Sequence, residues 1–380
     1  MGKKIGIVVM FKLDAGGGAP RVAIDLIKAL NEFGYKVHLL TPWKLDYKKI
    51  AEIFEPVEIE KEYNAGIKNK FCVEKNFSRK LMKEEFVEMT KNVNLIIDID
   101  GGVLHKYLPE NKKYIIWRIS GIGGEKTEWE RRNLKRYLKN AIKKILGQND
   151  NTLSKKHKIY AVDDWTKRML KERWNLLAED LCLYPAIKTD HFSYTKNKKN
   201  RAIILGRISP NKRIDESIKV FAIGAKNSDY SLVVIGGATP DSEDYIKYLT
   251  QIAKEYDIES RIEFIKNPSF EKLKETVEQS KILIECQRDI SLTMTSIECL
   301  AAGVVVLVHK NGGTFKEVLE NGKYGIGFES IKEGGEKLKK IIKALEIKKI
   351  RPEKFIGRVE FFSENKFKER LKTILKENGV

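Results

Sequence analysis

Two short stretches hold the residues best placed to do chemistry: Gly206-Arg207-Ile208-Ser209-Pro210-Asn211-Lys212 and Ser296-Ile297-Glu298-Cys299-Leu300-Ala301-Ala302-Gly303. In the first, an arginine fork and a lysine point charge flank a turn stiffened by Ser209-Pro210, so the two side chains can straddle one anionic group. In the second, Glu298 is the one charge among Met294, Ile297, Cys299, Leu300, Ala301 and Ala302. Burying an unpaired carboxylate costs on the order of several kcal/mol, so Glu298 must meet a cation, a backbone cap or ligand hydroxyls. A structural salt bridge is the plain alternative. Just upstream, Ser291, Thr293, Thr295 and Ser296 crowd the start of the same segment, where hydroxyls and N–H groups suit a phosphate or simply cap a helix. A nucleotide diphosphate requires such a pair of cations and finds a use for the carboxylate.

The elements that must position these residues can be read from apolar runs. Ala202-Ile203-Ile204-Leu205 and Ile282-Leu283-Ile284 read as strands, and each candidate stretch leads from one of them into a helix. Both stretches therefore fall outside the carboxyl ends of strands, where open α/β sheets bind ligands. The second half alternates strands at 201–205, 231–235, 261–265, 281–285 and 304–308 with helices at 213–226, 242–256, 269–279 and 292–302, a doubly wound pattern. The first half opens with a strand from Ile5 to Phe11, a glycine loop at Asp14–Ala19, and a helix carrying Pro20 near its start and Gly34 at its end. A strand from Tyr35 to Thr41 follows, and further strands are expected at 95–97, 114–117 and 159–162. The expected fold class is α/β: two Rossmann-like, doubly wound parallel-sheet domains facing a cleft. Their spans are 1–187 and 201–359, with the polar run 188–200 as linker. A last helix within 360–380, with Phe367, Leu371 and Ile374 at helical spacing, could pack against either half.

At 380 residues the chain exceeds the size at which one core usually keeps growing, and 42% apolar residues support two. The net charge of +19 implies attraction to something anionic: nucleotide phosphates, an acidic membrane surface or nucleic acid. Gln is scarce and Lys abundant, a bias resembling thermophile proteins, so part of that charge reflects habitat. Cys72, Cys182, Cys286 and Cys299 lie far apart with no CxxC or Cys/His spacing, which argues against zinc and disulfides and for a reducing compartment. The apolar run after Met1-Gly2-Lys3-Lys4 is too short for a secretory or membrane-spanning segment, so a cytoplasmic protein, at most peripheral on a membrane, is expected.

These motifs, in this order, resemble glycosyltransferase family 4, retaining enzymes of the GT-B fold. Gly206 to Asp215 is similar to the family's G-R-x-x-P-x-K-x-x-D loop, and Glu298 to Gly303 to its E-A-x-A-x-G helix. Asn311-Gly312-Gly313-Thr314-Phe315-Lys316-Glu317-Val318 resembles the G-G-x-x-E-V segment that follows. Gly16-Gly17-Gly18, Ala161-Val162-Asp163 and Phe362-Ser363-Glu364-Asn365-Lys366-Phe367 extend the likeness to nearly the whole chain. In GT-B proteins the helix that the last of these opens returns to the first domain. Leu183-Tyr184-Pro185-Ala186 and Val234-Ile235-Gly236-Gly237-Ala238 look most like mannosyltransferases that extend lipid-linked oligosaccharides.

The resemblance implies that Arg207 and Lys212 hold the donor diphosphate and stabilise charge on the leaving group, and that Glu298 takes the ribose hydroxyls. Backbone N–H groups of Thr293, Met294 and Thr295, and of Gly17 and Gly18, would approach the phosphates, with Gly313 and Thr314 near the sugar. Asn267 joins this donor-binding set. The family's other glutamate, which contacts the sugar, would fall at Ile290, so either Asp289 substitutes through a shifted loop or sugar recognition differs. Ser291 and Thr293 stand where the family has small glycines, and Ser291 joins the donor-binding set. Where many members have a cleft histidine, this chain has Arg118. The implied reaction is transfer from a UDP- or GDP-sugar to a glycan or lipid-linked acceptor with retention of anomeric configuration, without a metal or other cofactor.

Other readings fare worse. Asp98-Ile99-Asp100 has the D-x-D form of metal-dependent sugar transferases, but acidic strand ends are common. Gly16-Gly17-Gly18 does not meet G-x-G-x-x-G, and the strand ending at Thr41 lacks the acidic residue that binds a dinucleotide's ribose. The five histidines have no mutual metal-ligand spacing. Arg131–Leu146 is a basic amphipathic segment that suits either an anionic membrane or a domain surface. A nucleotide-sugar epimerase or an inactive relative shares the fold. A nucleic-acid-binding protein would use the charge but has no motif here, so no nucleic acid is expected.

Overall fold

The computed structural model describes residues 3–67, 81–99, 101–102, 104–119, 127, 129 and 153–380. Described residues within Met1–Ile122, Asn149–Ala186 and Glu364–Val380 form one compact unit, and those within Gly123–Gln148 and Ile187–Ser363 form a second.

In the first unit the strands are β1 (Lys4–Val8), β2 (Lys36–Trp43), β3 (Lys61–Ile67), β4 (Leu95–Asp98), β5 (Lys113–Arg118) and β6 (Lys158–Ala161). They form a parallel sheet in the order β3-β2-β1-β4-β5-β6. Helices α1 (Gly18–Glu32), α2 (Tyr47–Ile53), α3 (Lys83–Asn92) and α4 (Leu153–Lys156) lie between them, and α5 (Asp164–Trp174) follows β6. Ile5, Ile7, Leu39, Ile96 and Ile116 are almost fully buried, as strands covered on both faces must be. Each such side chain stabilises the unit by roughly 1.5–3 kcal/mol. On α1 the buried stripe includes Ile24, Ile27 and Leu30. The C-terminal helix, Glu364–Glu377, belongs to this unit and buries Phe367, Leu371 and Ile374, with the Phe367 ring 5.8 Å from that of Trp117.

The second unit repeats the plan. Its strands are β7 (Arg201–Leu205), β8 (Ser231–Gly236), β9 (Ile262–Lys266), β10 (Ile282–Glu285), β11 (Val305–His309) and β12 (Ile326–Phe328), in the order β12-β11-β10-β7-β8-β9. Helices α6 (Ile214–Gly224), α7 (Glu243–Glu255), α8 (Phe270–Glu278), α9 (Met294–Ala301) and α10 (Ile331–Glu346) lie between and after them, and Thr314–Val318 makes a π-helical turn. In both sheets the strand order reverses at one place: between β1 and β4, and between β7 and β10. Such switch points open a crevice at the strands' carboxyl ends.

The polar run 188–200 is not a linker. It packs into the second unit, with Phe192 buried and the Lys198 ammonium donating to the carbonyls of Glu278 (2.6 Å) and Ala302 (2.9 Å). Those carbonyls lie at the C-terminal ends of α8 and α9, where a helix presents unpaired acceptors and partial negative charge. Lysines that look like solvated chain in the sequence therefore hold two helix ends. Trp129 also belongs to the second unit, with its ring against Tyr245 and Tyr248. The basic segment Arg131–Leu146 lies outside the described residues.

Candidate functional site

The switch point of the second unit gathers the candidate residues. After β7 the chain turns at Gly206, and after β8 at Gly236; a Cβ on Gly236 would fall on the Gly206 carbonyl oxygen. The two loops are tied by Gly206 N–H to Ile235 O (3.1 Å) and Ile208 N–H to Gly237 O (2.8 Å). Asn267, in a left-handed conformation (φ 48°), supports the same place: its side-chain oxygen accepts from Ala238 N–H at 2.8 Å and its own N–H donates to Gly236 O at 2.9 Å. It is an exposed brace of the β8 loop, with its amide oxygen already engaged.

Arg207 and Lys212 part company. Arg207 is exposed, whereas Lys212 folds back across Gly206 and donates to Gln287 Oε1 at 2.8 Å. Gln287 in turn donates to Asn211 O (3.1 Å), closing the β7 loop onto the end of β10. Burial pushes the Lys212 ammonium below the usual lysine range; Glu285 opposes that shift and Arg207 adds to it. Instead of two cations clasping one space symmetrically, one is seated and the other is presented to solvent.

Glu285, the last residue of β10, is the residue that sequence reasoning missed. It is 8% exposed, and one of its oxygens accepts from both Thr293 Oγ1 (2.8 Å) and Ser296 Oγ (2.9 Å). Its other oxygen accepts from Thr314 Oγ1 at 3.5 Å. Burial pushes the carboxyl above its usual range, while Lys212 and the three hydroxyls hold it down. The available signal is a carboxylate closing a buried strand with hydroxyls eight and eleven residues on.

Two of the four hydroxyls expected at the start of α9, those of Thr293 and Ser296, are thus committed inward. Thr293 is the N-cap, yet its side chain makes no capping bond, and its N–H donates to Thr314 Oγ1 at 3.0 Å. The Thr293 N–H, expected to approach a phosphate, is engaged by Thr314 Oγ1 in this structure. Met294 and Thr295 open the helix, half-buried, and their N–H groups lack intrahelical partners by geometry. Ser291 is half-buried in the loop before them.

Asp289 is buried and left-handed (φ 61°), and its N–H donates to Asn311 O at 2.6 Å. Gly313 N–H donates to Ile290 O at 2.8 Å, so the Asp289 turn and the Gly313–Thr314 turn are knitted together. Arg288 and Arg213 grip the two oxygens of Glu216 at 2.5 and 2.6 Å, fixing this loop to the start of α6. Glu298 lies one turn into α9, 8% exposed.

In the first unit, Gly17 (φ 95°) is the N-cap of α1 and Gly18 its first residue. Arg118 ends β5, buried, with its guanidinium 4.5 Å from the centre of the Trp174 ring. Gly101 (φ 89°) lets the chain pass over it, since a Cβ there would fall on the guanidinium. Asp98 is fully buried and accepts from Tyr114 Oη; Asp100 lies outside the described residues. Among the described residues no group of three or more His, Cys, Asp or Glu side chains could hold a metal ion, and no helix is long and apolar enough to cross a membrane.

A family model, Glycosyl transferases group 1, matches residues 186–359. That segment is similar to the group 1 glycosyl transferases. It contains every residue of the second-unit site described above. A GDP-Man:Man(3)GlcNAc(2)-PP-Dol alpha-1,2-mannosyltransferase from Xenopus laevis is 24% identical over 39% of this chain, and the match spans about a third (33%) of that relative's length. The O-antigen chain mannosyltransferase RfbU of Salmonella typhimurium is 25% identical over 43% of this chain and 45% of its own. Among solved structures, a glycosyltransferase from Rickettsia africae matches 99% of this chain and 98% of its own with a TM-score of 0.74 at 15% identity. An Anabaena protein, HepE, solved with UDP and glucose, covers 99% of this chain and 100% of its own with a TM-score of 0.73 at 14% identity. The chain thus has the GT-B fold of two Rossmann-like units, and part of it resembles lipid-linked-oligosaccharide mannosyltransferases.

Proposed function

We propose that the chain transfers a sugar from a nucleotide-diphosphate sugar to a glycan or lipid-linked acceptor, with retention of anomeric configuration. The observation that carries this reading is the seated Lys212 at the β7–β10 switch point, beside the first turn of α9 and the Gly313–Thr314 turn, all within the group 1 segment. A diphosphate there meets Lys212, exposed Arg207 and the N-terminal amides of α9, which together favour anions. Glu298, on the same helix, takes the ribose hydroxyls. Gly313 and Asp289 lie toward the sugar.

As the glycosidic bond to the donor breaks, negative charge grows on the diphosphate, and Lys212 stabilises it without reorganising. The leaving diphosphate takes the acceptor's proton, so neither a protein nucleophile nor a metal ion is required, and the reaction is expected to survive a chelator. The first unit, with Gly17, Gly18 and Arg118, is assigned to the acceptor and the near end of the donor. GDP-mannose is the first donor to test, because the mannosyltransferase relatives include several whose names specify GDP-Man. The expected place is the cytoplasm or its membrane face.

Incubation with GDP-mannose and UDP-glucose, with and without an oligosaccharide or lipid-linked acceptor, tests the reading. Sugar appearing on the acceptor with the donor's anomeric configuration by NMR supports it. Release of a free, altered sugar without acceptor would instead mark an epimerase, and consumption of neither donor would refute both.

A further inference from the structure

Glu285 has no part in the reaction just described, yet its placement is unusual. It ends β10, which pairs with β7 through Ile282–Ala202 and Leu283–Ile203; continuing that register sets Glu285 beside Leu205, one residue before Gly206. Lys212 lies across Gly206 and bonds Gln287, two residues beyond Glu285. The register therefore brings the carboxylate to the β7 loop that carries the seated cation, and the two charges act on one another. Thr293 and Ser296 from α9 and Thr314 from the next turn all direct hydroxyls at it. An ionised carboxylate only accepts hydrogen bonds, so a site with this many donors is built for the charged form. A cation, hydroxyl donors and a helix start around a buried anion are what a phosphate site offers as well.

We propose that Glu285 is a built-in counter-anion: in the nucleotide-free protein it balances Lys212 and holds the α9 and Gly313–Thr314 turns in place, and it weakens the grip on a bound nucleotide diphosphate. The second part rests on the proposed nucleotide reading; the first does not. The diphosphate brings its charge to the same cation, and the nearby carboxylate opposes it. Glu285 thereby keeps the leaving nucleotide from being held too tightly to depart, while Lys212 stays ordered between turnovers.

A double-mutant cycle in the nucleotide-free protein tests the pairing. Lys212→Met leaves a buried carboxylate uncompensated and should lower the melting temperature by about 4 °C or more. Adding Glu285→Gln should restore most of that loss, because the pair is then neutral. Calorimetric titration with UDP and with GDP tests the second part. Glu285→Gln, which keeps the shape and an acceptor for Thr293 and Ser296, should bind the recognised nucleotide on the order of tenfold more tightly than wild type. Glu285→Asp, which keeps the charge, should stay near wild type. A structural prop alone would weaken binding when altered and never strengthen it.

Melting temperatures that simply add in the cycle, or a folded Glu285→Gln that binds no more tightly than wild type, would overturn the proposal. If Glu285→Gln does not fold, Lys212→Met alone decides, since an unchanged melting temperature rejects the pairing. Failure of both wild type and Glu285→Gln to bind UDP or GDP would overturn the nucleotide reading, and the nucleotide-free cycle reads separately from that.

Discussion

Lys212 and Arg207 look equivalent in the sequence and differ in the structure because one is seated against Gln287 and the other is exposed. An exposed charge is screened and flexible, so Arg207→Ala should weaken nucleotide binding less than Lys212→Ala, and its effect should shrink further at 0.5 M salt. Titrations at two ionic strengths check this. Thr293→Val keeps the shape but removes a donor to a buried carboxylate; about 1–3 kcal/mol of stability should be lost in chemical denaturation, against a near-neutral Ser291→Ala. The motif residues were legible because cations and a lone carboxylate stand out by type. Glu285 was not, because a single acid ending an apolar strand looks like the boundary of that strand. Its partners come from three separate segments, and only folding unites them.

At the scale of elements, the alternation of β7 to β11 with helices was legible to within a few residues, since buried strands are continuous apolar runs. β3, whose sequence mixes charges and glycine, and the three-residue β12 carry no such run. The 188–200 segment misled for another reason: its polarity serves helix ends rather than solvent. Lys198 makes this testable, since burial pulls its pKa down to about 8 from 10.5. Between those values the unfolded chain holds the proton that the folded protein has released, so stability from this group rises with pH across that window. Urea unfolding at pH 7.5 and 9.5 should show wild type gaining on Lys198→Met as pH rises. The neutral amine still has two hydrogens for the Glu278 and Ala302 carbonyls. At the β8 end, Gly236→Ala should cost about 2–4 kcal/mol, because its Cβ meets the Gly206 carbonyl and the loops bearing Arg207 must part.

At the scale of the molecule, two parallel sheets of the same strand order give two switch points, and the group 1 segment coincides with the second unit's sheet. The fold was legible because both halves repeat one βα grammar. The sugar was not, because the proposed sugar side of the site is made of loop conformations such as the left-handed Asp289 turn, which carries no sequence signature. The net charge of +19 predicts salt-reversible sedimentation with anionic liposomes, as a lipid-linked acceptor would favour; no binding at low salt would remove the membrane from the proposal. The central claim is that a nucleotide diphosphate binds at Lys212. Calorimetric titration of UDP, GDP and their sugar conjugates into wild type and Lys212→Ala tests it most directly. Saturable binding of one nucleotide to wild type, weakened on the order of tenfold or more in a Lys212→Ala protein that remains folded, is the predicted result. Equal affinity in the two proteins would contradict it.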